Sequence, residues 1–189
     1  MAKCFQVLFM IIIAAIPAHA QSFHLGRCLT PELQKDFDIN KYLGQWYEIE
    51  KLPAVFEKGT CNQAKYSLLD DGTVQVRNAE LLANGKINSI EGVAKVKDSI
   101  QSAILKVKFF KGVPDAPYWV LSTDYVSHAL VYSCIGYLRL FHIDFAWVLA
   151  RNRTLPDDVI SQLHDALAVA GVNINRLTFS NQTGCPDMS

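Results

Sequence analysis

Between Trp46 and Ala150 the chain is a regular series of short β-favouring segments separated by turn signals, with no helical periodicity between them. Hairpin turns are indicated at Asp70-Asp71-Gly72 and Asn84-Gly85, because Asn, Asp and Gly tolerate positive φ. The predicted strands are Gln45–Leu52, Gln63–Leu69, Thr73–Leu82, Ile87–Lys97, Ala103–Phe109, Tyr118–Thr123, His128–Ile135 and Leu138–Ala150. This pattern predicts an all-β fold, either an eight-stranded antiparallel up-and-down β-barrel or a β-sandwich.

One helix is predicted after the strands. In Pro156–Gly171 the apolar residues recur at a spacing of three to four and share one helix face. Pro156 suits the start of a helix, and Gly171 suits its end. The short segment Asn175–Ser180 could add one more strand.

The first twenty residues have the features of a secretory signal peptide. Lys3 precedes an apolar run from Cys4 to Ile16, and Ala18-His19-Ala20 forms a small-x-small ending. The run is too short to span a bilayer, which needs about 20 residues. We therefore expect a signal peptide over 1–20, a single domain over 21–189, and a secreted, extracellular protein.

Cysteines, sequons and charge agree with that compartment. Four cysteines follow the signal segment and allow three pairings: Cys28, Cys61, Cys134 and Cys185. Two N-glycosylation sequons begin at Asn152 and Asn181. The formal net charge is zero and there is no basic run, which argues against nucleic-acid binding. An aromatic fraction of 11% excludes intrinsic disorder.

Enzymatic and metal motifs are missing from the sequence. There is no G-x-S-x-G, P-loop or H-E-x-x-H pattern. His142 and Asp144 share one strand face, opposite the aromatic face of the same strand. Two ligands without a third are weak evidence for a metal, so a surface hydrogen bond or a contact under the helix is the favoured interpretation. No metal, cofactor or catalytic residue is predicted.

Three short motifs occur in a fixed order along the strands. Gly44 and Trp46 open the first strand, Thr123-Asp124-Tyr125 ends the sixth, and Arg151 follows the eighth. With eight strands and one following helix, this arrangement resembles the signature regions of the lipocalins. Within that family the match narrows to one group of lipid carriers over Phe23–Gly26, Asn40–Gly44, Trp46–Lys51, Ala116–Trp119, Ala129–Cys134 and Phe141–Trp147.

The resemblance implies a closed barrel with the helix packed outside. It implies that Trp46 and Arg151 close the barrel floor, and that Cys28 pairs with Cys134 and Cys61 with Cys185. With no cysteine left over, a disulfide-linked dimer is not expected. It further implies a carrier of small lipophilic ligands, namely fatty acids such as arachidonate and steroids such as progesterone.

Alternation along the strands selects the candidate pocket residues. Trp119 and Trp147 fall on apolar strand faces and are rigid enough to form a pocket wall. Asn78 is the one neutral polar residue on its strand face and is expected to orient the polar end of a ligand. The remaining predicted ligand contacts are Val76, Leu105, Leu121, Val107 and Phe145.

The loops at the open end are predicted to be Phe56–Thr60, Leu82–Lys86, Lys111–Ala116 and Gly136–Leu138. Val113, Tyr137 and Leu138 are apolar there and predict weak docking on a lipoprotein or membrane surface. Lys58, Lys111 and Arg139 lie near the same opening and could favour a carboxylate head.

Two other functions stay open at this point. A lipocalin-type prostaglandin isomerase would need a free cysteine facing the cavity, for which Cys61 is the candidate, but a disulfide sulfur is no nucleophile. A lipoprotein-associated interaction module without a ligand is the other alternative.

Overall fold

The computed structural model describes residues 22–97 and 100–188. The ten strands are β1 Ser22–Leu25, β2 Gly44–Lys51, β3 Thr60–Leu68, β4 Val74–Leu81, β5 Ile87–Val96, β6 Ile104–Lys108, β7 Ala116–Thr123, β8 His128–Tyr137, β9 Phe141–Ala150 and β10 Thr178–Phe179. The helices are α1 Ile39–Tyr42 and α2 Asp157–Val169, with a 3₁₀ turn at Ile174–Arg176. The expected signal peptide lies outside the described residues.

Strands β2 to β9 form a closed antiparallel barrel. Each strand pairs with the next along the chain, and β9 returns to pair with β2, with Tyr47 opposite Ala150 and Lys51 opposite Trp147. A β-bulge between Glu48 and Glu50 interrupts that closing pair. Of the two architectures that the sequence allowed, the structure has the eight-stranded up-and-down barrel.

Two short strands extend the sheet beyond the barrel. β1 pairs with the first four residues of β9, and β10 pairs with the last two residues of β2. The tail that could have formed a strand over Asn175–Ser180 is a strand only at Thr178–Phe179, after the 3₁₀ turn. Neither β1 nor the four-residue helix α1 was predicted, because segments of four residues show too little periodicity.

The side chains form one core inside the barrel and another outside it. The inner cluster includes Trp46, Val76, Leu105 and Leu149. The outer cluster lies between the sheet and α2, which buries Leu163 and Leu167. The expectation that the helix packs outside the barrel is confirmed. Within the described residues, none of the helices is both long and apolar enough to cross a membrane.

The floor of the barrel is closed by Trp46 and Arg151. The Arg151 guanidinium lies 3.7 Å from the centre of the Trp46 ring and donates to the carbonyl oxygens of Gln45 and Tyr125. Gly44 has φ of +96°, and a Cβ there would lie 3.3 Å from the Arg151 side chain. A glycine therefore serves both the backbone conformation and the close approach of the cation.

The remaining signature residues, Thr123, Asp124 and Tyr125, form hydrogen bonds at the same closed end of the barrel. The Tyr125 hydroxyl accepts from the Asp38 N–H at 3.1 Å, which anchors the segment before α1. Asp124 accepts the backbone N–H groups of Val126, Ser127 and His128, and the Thr123 hydroxyl donates to the His128 carbonyl. These hydrogen bonds stabilise the loops at the closed end of the barrel, next to the floor. The signature residues therefore have a structural role here.

Candidate ligand-binding site

The half of the barrel interior next to the floor is filled by aromatic side chains. The Tyr118 hydroxyl lies 2.8 Å from the Tyr42 hydroxyl and 2.7 Å from the Tyr66 hydroxyl. Burial raises the pKa of Tyr66 to about 12 and holds the pKa values of Tyr42 and Tyr118 well above their ordinary range. The three phenols are therefore neutral at physiological pH and satisfy one another. A ligand must lie above this layer, towards the open end.

The upper half of one wall is aromatic. The rings of Phe145 and Trp147 stack with centroids 5.9 Å apart on the inner face of β9. Phe56, from the loop between β2 and β3, meets Phe145 with centroids 5.3 Å apart, and the ring of Phe56 is more than half exposed. These three rings form a continuous apolar surface that begins inside the barrel and reaches solvent at its mouth.

A cavity of about 530 Å³ opens at the same end of the barrel. Its volume lies in the range of pockets that hold small organic ligands. The lining comes from the ends of β6, β7 and β8 and the loop between β6 and β7, with Val107, Phe109, Phe110, Val113, Ile135 and Tyr137 as its apolar side chains. The cavity thus joins the barrel interior, at Val107, to exposed residues of the rim.

Charged groups lie beside the aromatic wall. The Lys51 ammonium contacts the carboxylates of Glu48, at 3.2 Å, and Glu57. The Trp147 indole N–H donates to Glu57 at 3.1 Å. The Asn62 side-chain amide N–H donates to Glu48 at 2.9 Å, while the side-chain oxygen of Asn62, Oδ1, is buried with no protein partner. The apolar wall is therefore bordered by groups able to bond the polar end of a ligand.

The pKa of Glu57 is raised within this group. Burial, followed by the nearby Glu48 carboxylate, raises the pKa of Glu57 from 4.5 to about 8, although Lys51 and the Trp147 N–H oppose the shift. Between these two pH values the unfolded chain loses a proton that the folded chain retains. The contribution of Glu57 to the free energy of unfolding therefore falls as the pH rises from about 4.5 to about 8.

The pH dependence gives a first prediction. Glu57→Gln cannot ionise, so the variant should gain stability relative to the unsubstituted chain as the pH rises from about 5 to about 8.5. We expect a gain on the order of 2 kcal/mol over this pH range. Urea unfolding at several pH values measures it. Glu91→Gln, at a more exposed glutamate, is the matched control, and a pH-independent difference for Glu57→Gln would contradict the assignment.

Six of the eight predicted pocket residues lie on the inner face. Val76, Leu105, Val107 and Trp147 belong to the inner cluster, and Asn78 and Phe145 share strand faces with them. Asn78 lies opposite Ala64 of β3 and Ile90 of β5. Ligand contact at these six positions stays a prediction, and the structure places all six on the inner face of the barrel.

The predicted inward position of Trp119 and Leu121 is wrong. Both pack in the outer cluster, and the Trp119 ring lies 5.8 Å from that of Tyr132. On β7 it is Tyr118 and Val120 that face inwards. Both faces of β7 are apolar because the outer face is also covered, so alternation could not choose between them.

Sequence reasoning missed Tyr66, Tyr118, Phe56 and Glu57. Phe56 and Glu57 lie in the loop between β2 and β3, and nothing in the local pattern indicates that this loop folds back over β9. Tyr118 could have been found, since it alternates with Trp119 on a strand whose two faces were both candidates. Lys51 is engaged by carboxylates, whereas Lys58, Lys111 and Arg139 lie in or beside the open-end loops, as expected.

The cysteines pair as the resemblance implied, and the asparagines of both sequons are described by the structure. Cys28 is bonded to Cys134, and Cys61 to Cys185. Asn152 and Asn181 are both exposed, which leaves glycosylation at each a prediction. At the open end Val113, Tyr137 and Leu138 are exposed by 52%, 45% and 89%. Phe110 and Leu140 extend this apolar rim.

Comparison with known proteins agrees with the fold. A Lipocalin-like domain model matches residues 37–182. Among solved structures, insecticyanin from the tobacco hornworm Manduca sexta superposes with a TM-score of 0.75 at 24% identity, over 87% of this chain and 91% of that one. Lobster apocrustacyanin A1 gives a TM-score of 0.75 at 22% identity, over 89% and 94%. The chain belongs to the lipocalin family.

Within the family the chain closely resembles apolipoprotein D. It is 48% identical to apolipoprotein D of Mus musculus over 184 residues, covering 96% of this chain and 97% of the mouse protein. It is 51% identical to apolipoprotein D of Oryctolagus cuniculus over 170 residues, covering 90% of each chain. The narrower resemblance seen in the six sequence segments is therefore confirmed.

Proposed function

We propose that this protein is a secreted carrier that binds one small lipophilic molecule in the open half of the barrel. The observation that carries the proposal is the aromatic wall of Phe56, Phe145 and Trp147, which continues from the interior to the mouth. A cavity of about 530 Å³ opens at the same end of the barrel, lined by β6, β7 and β8 and not by these three rings. Family membership supports a small-ligand carrier. Two disulfides support an oxidising, extracellular location.

The proposed ligands are fatty acids such as arachidonate and steroids such as progesterone. The apolar body lies against Trp147 and Phe145, and Asn78 on the opposite inner wall bonds the polar end. Burying roughly 400 Å² of apolar ligand surface yields about 10 kcal/mol gross at ~25 cal/mol/Å². Losses of rigid-body and chain freedom reduce this to a Kd on the order of micromolar.

An isomerase has less support than a carrier. The cysteine that such an enzyme would use, Cys61, is bonded to Cys185 and sits in a small outer cluster with Ala79 and Met188. A disulfide sulfur cannot act as a thiolate nucleophile. An interaction module without ligand would leave the apolar wall at the mouth without a function, which favours the carrier.

Lipid analysis of the native protein tests the proposal. The protein is purified from its natural fluid without detergent, extracted with organic solvent, and the extract is identified by mass spectrometry. We expect up to one equivalent of a fatty acid, a steroid or a lipid of similar size. An empty extract, together with no saturable binding of arachidonate or progesterone by the extracted protein, would overturn the carrier function.

We further propose that the apolar rim docks weakly on lipoprotein or membrane surfaces. Replacing Val113, Tyr137 and Leu138 together with serine should reduce co-flotation with phosphatidylcholine vesicles severalfold, because three exposed apolar tips are lost. Val113 and Tyr137 also line the cavity, so the single variant Leu138→Ser, which lies outside that lining, separates docking from ligand binding and should leave the affinity for a soluble ligand nearly unchanged. Leu68, Leu69 and Val126 are exposed apolar residues at the closed end, and their triple serine variant is the matched control. Unchanged flotation of the rim variant would exclude docking through this surface.

A further inference from the structure

A cluster of side chains that could bind a metal lies on the outer face of β9, away from the ligand site. His142 and Asp144 point to the side of β9 opposite Phe145 and Trp147. β1 pairs with this strand so that His24 is directly opposite His142 and Ser22 is opposite Asp144. The sequence offered two potential metal ligands here, and the pairing of β1 brings a third.

The three side chains converge at one point. One ligand atom from each of His24, His142 and Asp144 lies within 4.8 Å of the others. His24 Nε2 is 3.1 Å from Asp144 Oδ1, and the two imidazole rings stack with centroids 5.1 Å apart. Tetrahedral zinc with bonds of ~2.0–2.1 Å needs its ligands roughly 3.4 Å apart. Modest side-chain rotation would bring all three atoms to that distance.

The surroundings orient these groups as a metal site requires. His142 Nδ1 lies 3.3 Å from the Gly26 carbonyl oxygen; a proton donated there leaves the lone pair on Nε2. The Tyr132 hydroxyl donates to the second oxygen of Asp144 at 3.4 Å. Such outer hydrogen bonds fix the tautomer of a ligating histidine and the orientation of a ligating carboxylate.

The segment that carries His24 is held in place covalently. Cys28 is bonded to Cys134, and Cys134 is the residue of β8 directly opposite Asp144. His142 and Asp144 are buried, whereas the His24 side chain is 36% exposed. Solvent therefore reaches the site from the His24 side, which provides an entry path and a position for a water ligand.

We propose that His24, His142 and Asp144 form a binding site for a divalent transition-metal ion such as Zn²⁺. Two imidazoles and one carboxylate suit Zn²⁺ and Cu²⁺, whereas Ca²⁺ and Mg²⁺ prefer sites made of oxygen ligands alone. A bound ion replaces the hydrogen bond between His24 and Asp144 and ties the N-terminal strand to the barrel wall.

Calorimetric titration of the untagged, full secreted protein with ZnCl₂ tests the site. We expect about one equivalent of zinc to bind with a Kd on the order of micromolar. His24→Gln and His142→Gln should each weaken binding at least tenfold. His128 also faces a carboxylate, Asp124, at 3.5 Å, but the described residues give this pair no third ligand. His128→Gln is therefore the matched control and should bind zinc normally.

A second readout separates loss of ligation from loss of fold. Co²⁺ bound to two nitrogens and an oxygen absorbs visible light, and this absorption should vanish in His24→Gln. Affinity for arachidonate should be unchanged in that variant, because the pocket lies on the other side of the sheet. The proposal is overturned if zinc does not saturate near one equivalent, or if His24→Gln binds zinc as the unsubstituted protein does.

Discussion

Replacing Trp147 with alanine should weaken the binding of arachidonate and progesterone by about tenfold to a hundredfold. Trp147 is the largest side chain of the inner aromatic wall, and its ring stacks on Phe145. Losing the contact area of one indole removes about 1.5–3 kcal/mol of apolar burial from the complex. Calorimetric titration of the delipidated variant with each ligand measures the effect.

Trp119 provides the matched control for that variant. It is also a tryptophan on an apolar strand face, but it packs in the outer cluster near Tyr132. Trp119→Ala should lower the free energy of unfolding by about 3 kcal/mol or more and leave ligand affinity within twofold. If Trp119→Ala weakens binding more than Trp147→Ala does, the ligand lies outside the barrel and the pocket assignment is wrong.

Removing the Cys61–Cys185 disulfide should lower the free energy of unfolding substantially. The bond closes a loop with a sequence separation of 124 residues, so its loss gives the unfolded chain more freedom. It also holds a segment that fills the gap between β2 and β3, where Gln182 donates to the carbonyl oxygens of Glu48 and Asn62. We expect Cys61→Ala with Cys185→Ala to cost about 3 kcal/mol.

The expected signs of that loss are specific. Thermal unfolding should occur about 6–12 °C lower, given the usual relation for a domain of this size. Limited proteolysis should cut the C-terminal segment first. The Cys28→Ala, Cys134→Ala variant should lose comparable stability without this cleavage, because its disulfide holds the N-terminal segment instead. A double variant at Cys61 and Cys185 that melts within 2 °C of the unsubstituted protein would contradict the prediction.

The barrel was predictable because its strands carry the signal locally. Turn residues such as Gly72 and Gly85 mark the hairpins, and alternation from Phe141 to Leu149 assigns one apolar face to the interior. The choice of a barrel over a sandwich came from the resemblance to lipocalins, since closure depends on the pairing of β9 with β2, which no local pattern records.

The candidate site was predictable only in part. Alternation placed Val76 and Trp147 correctly, and failed at Trp119 because α2 and the N-terminal segment make the outer face apolar too. The roles of Glu57 and His24 could not be predicted for another reason, because each contacts a residue that is far away in the sequence. Glu57 and Trp147 are 90 residues apart, and His24 and Asp144 are 120 residues apart. Such contacts follow from the closed fold and not from local periodicity.

Tryptophan fluorescence during ligand titration tests the central claim that the ligand binds inside the barrel beside Trp147. Progesterone and arachidonate are added to the unsubstituted protein and to the Trp119→Phe and Trp147→Phe variants. We predict a saturable change in emission that persists in Trp119→Phe and is largely lost in Trp147→Phe, with Trp46 on the barrel floor contributing little. A change that persists in Trp147→Phe and disappears in Trp119→Phe would contradict the account.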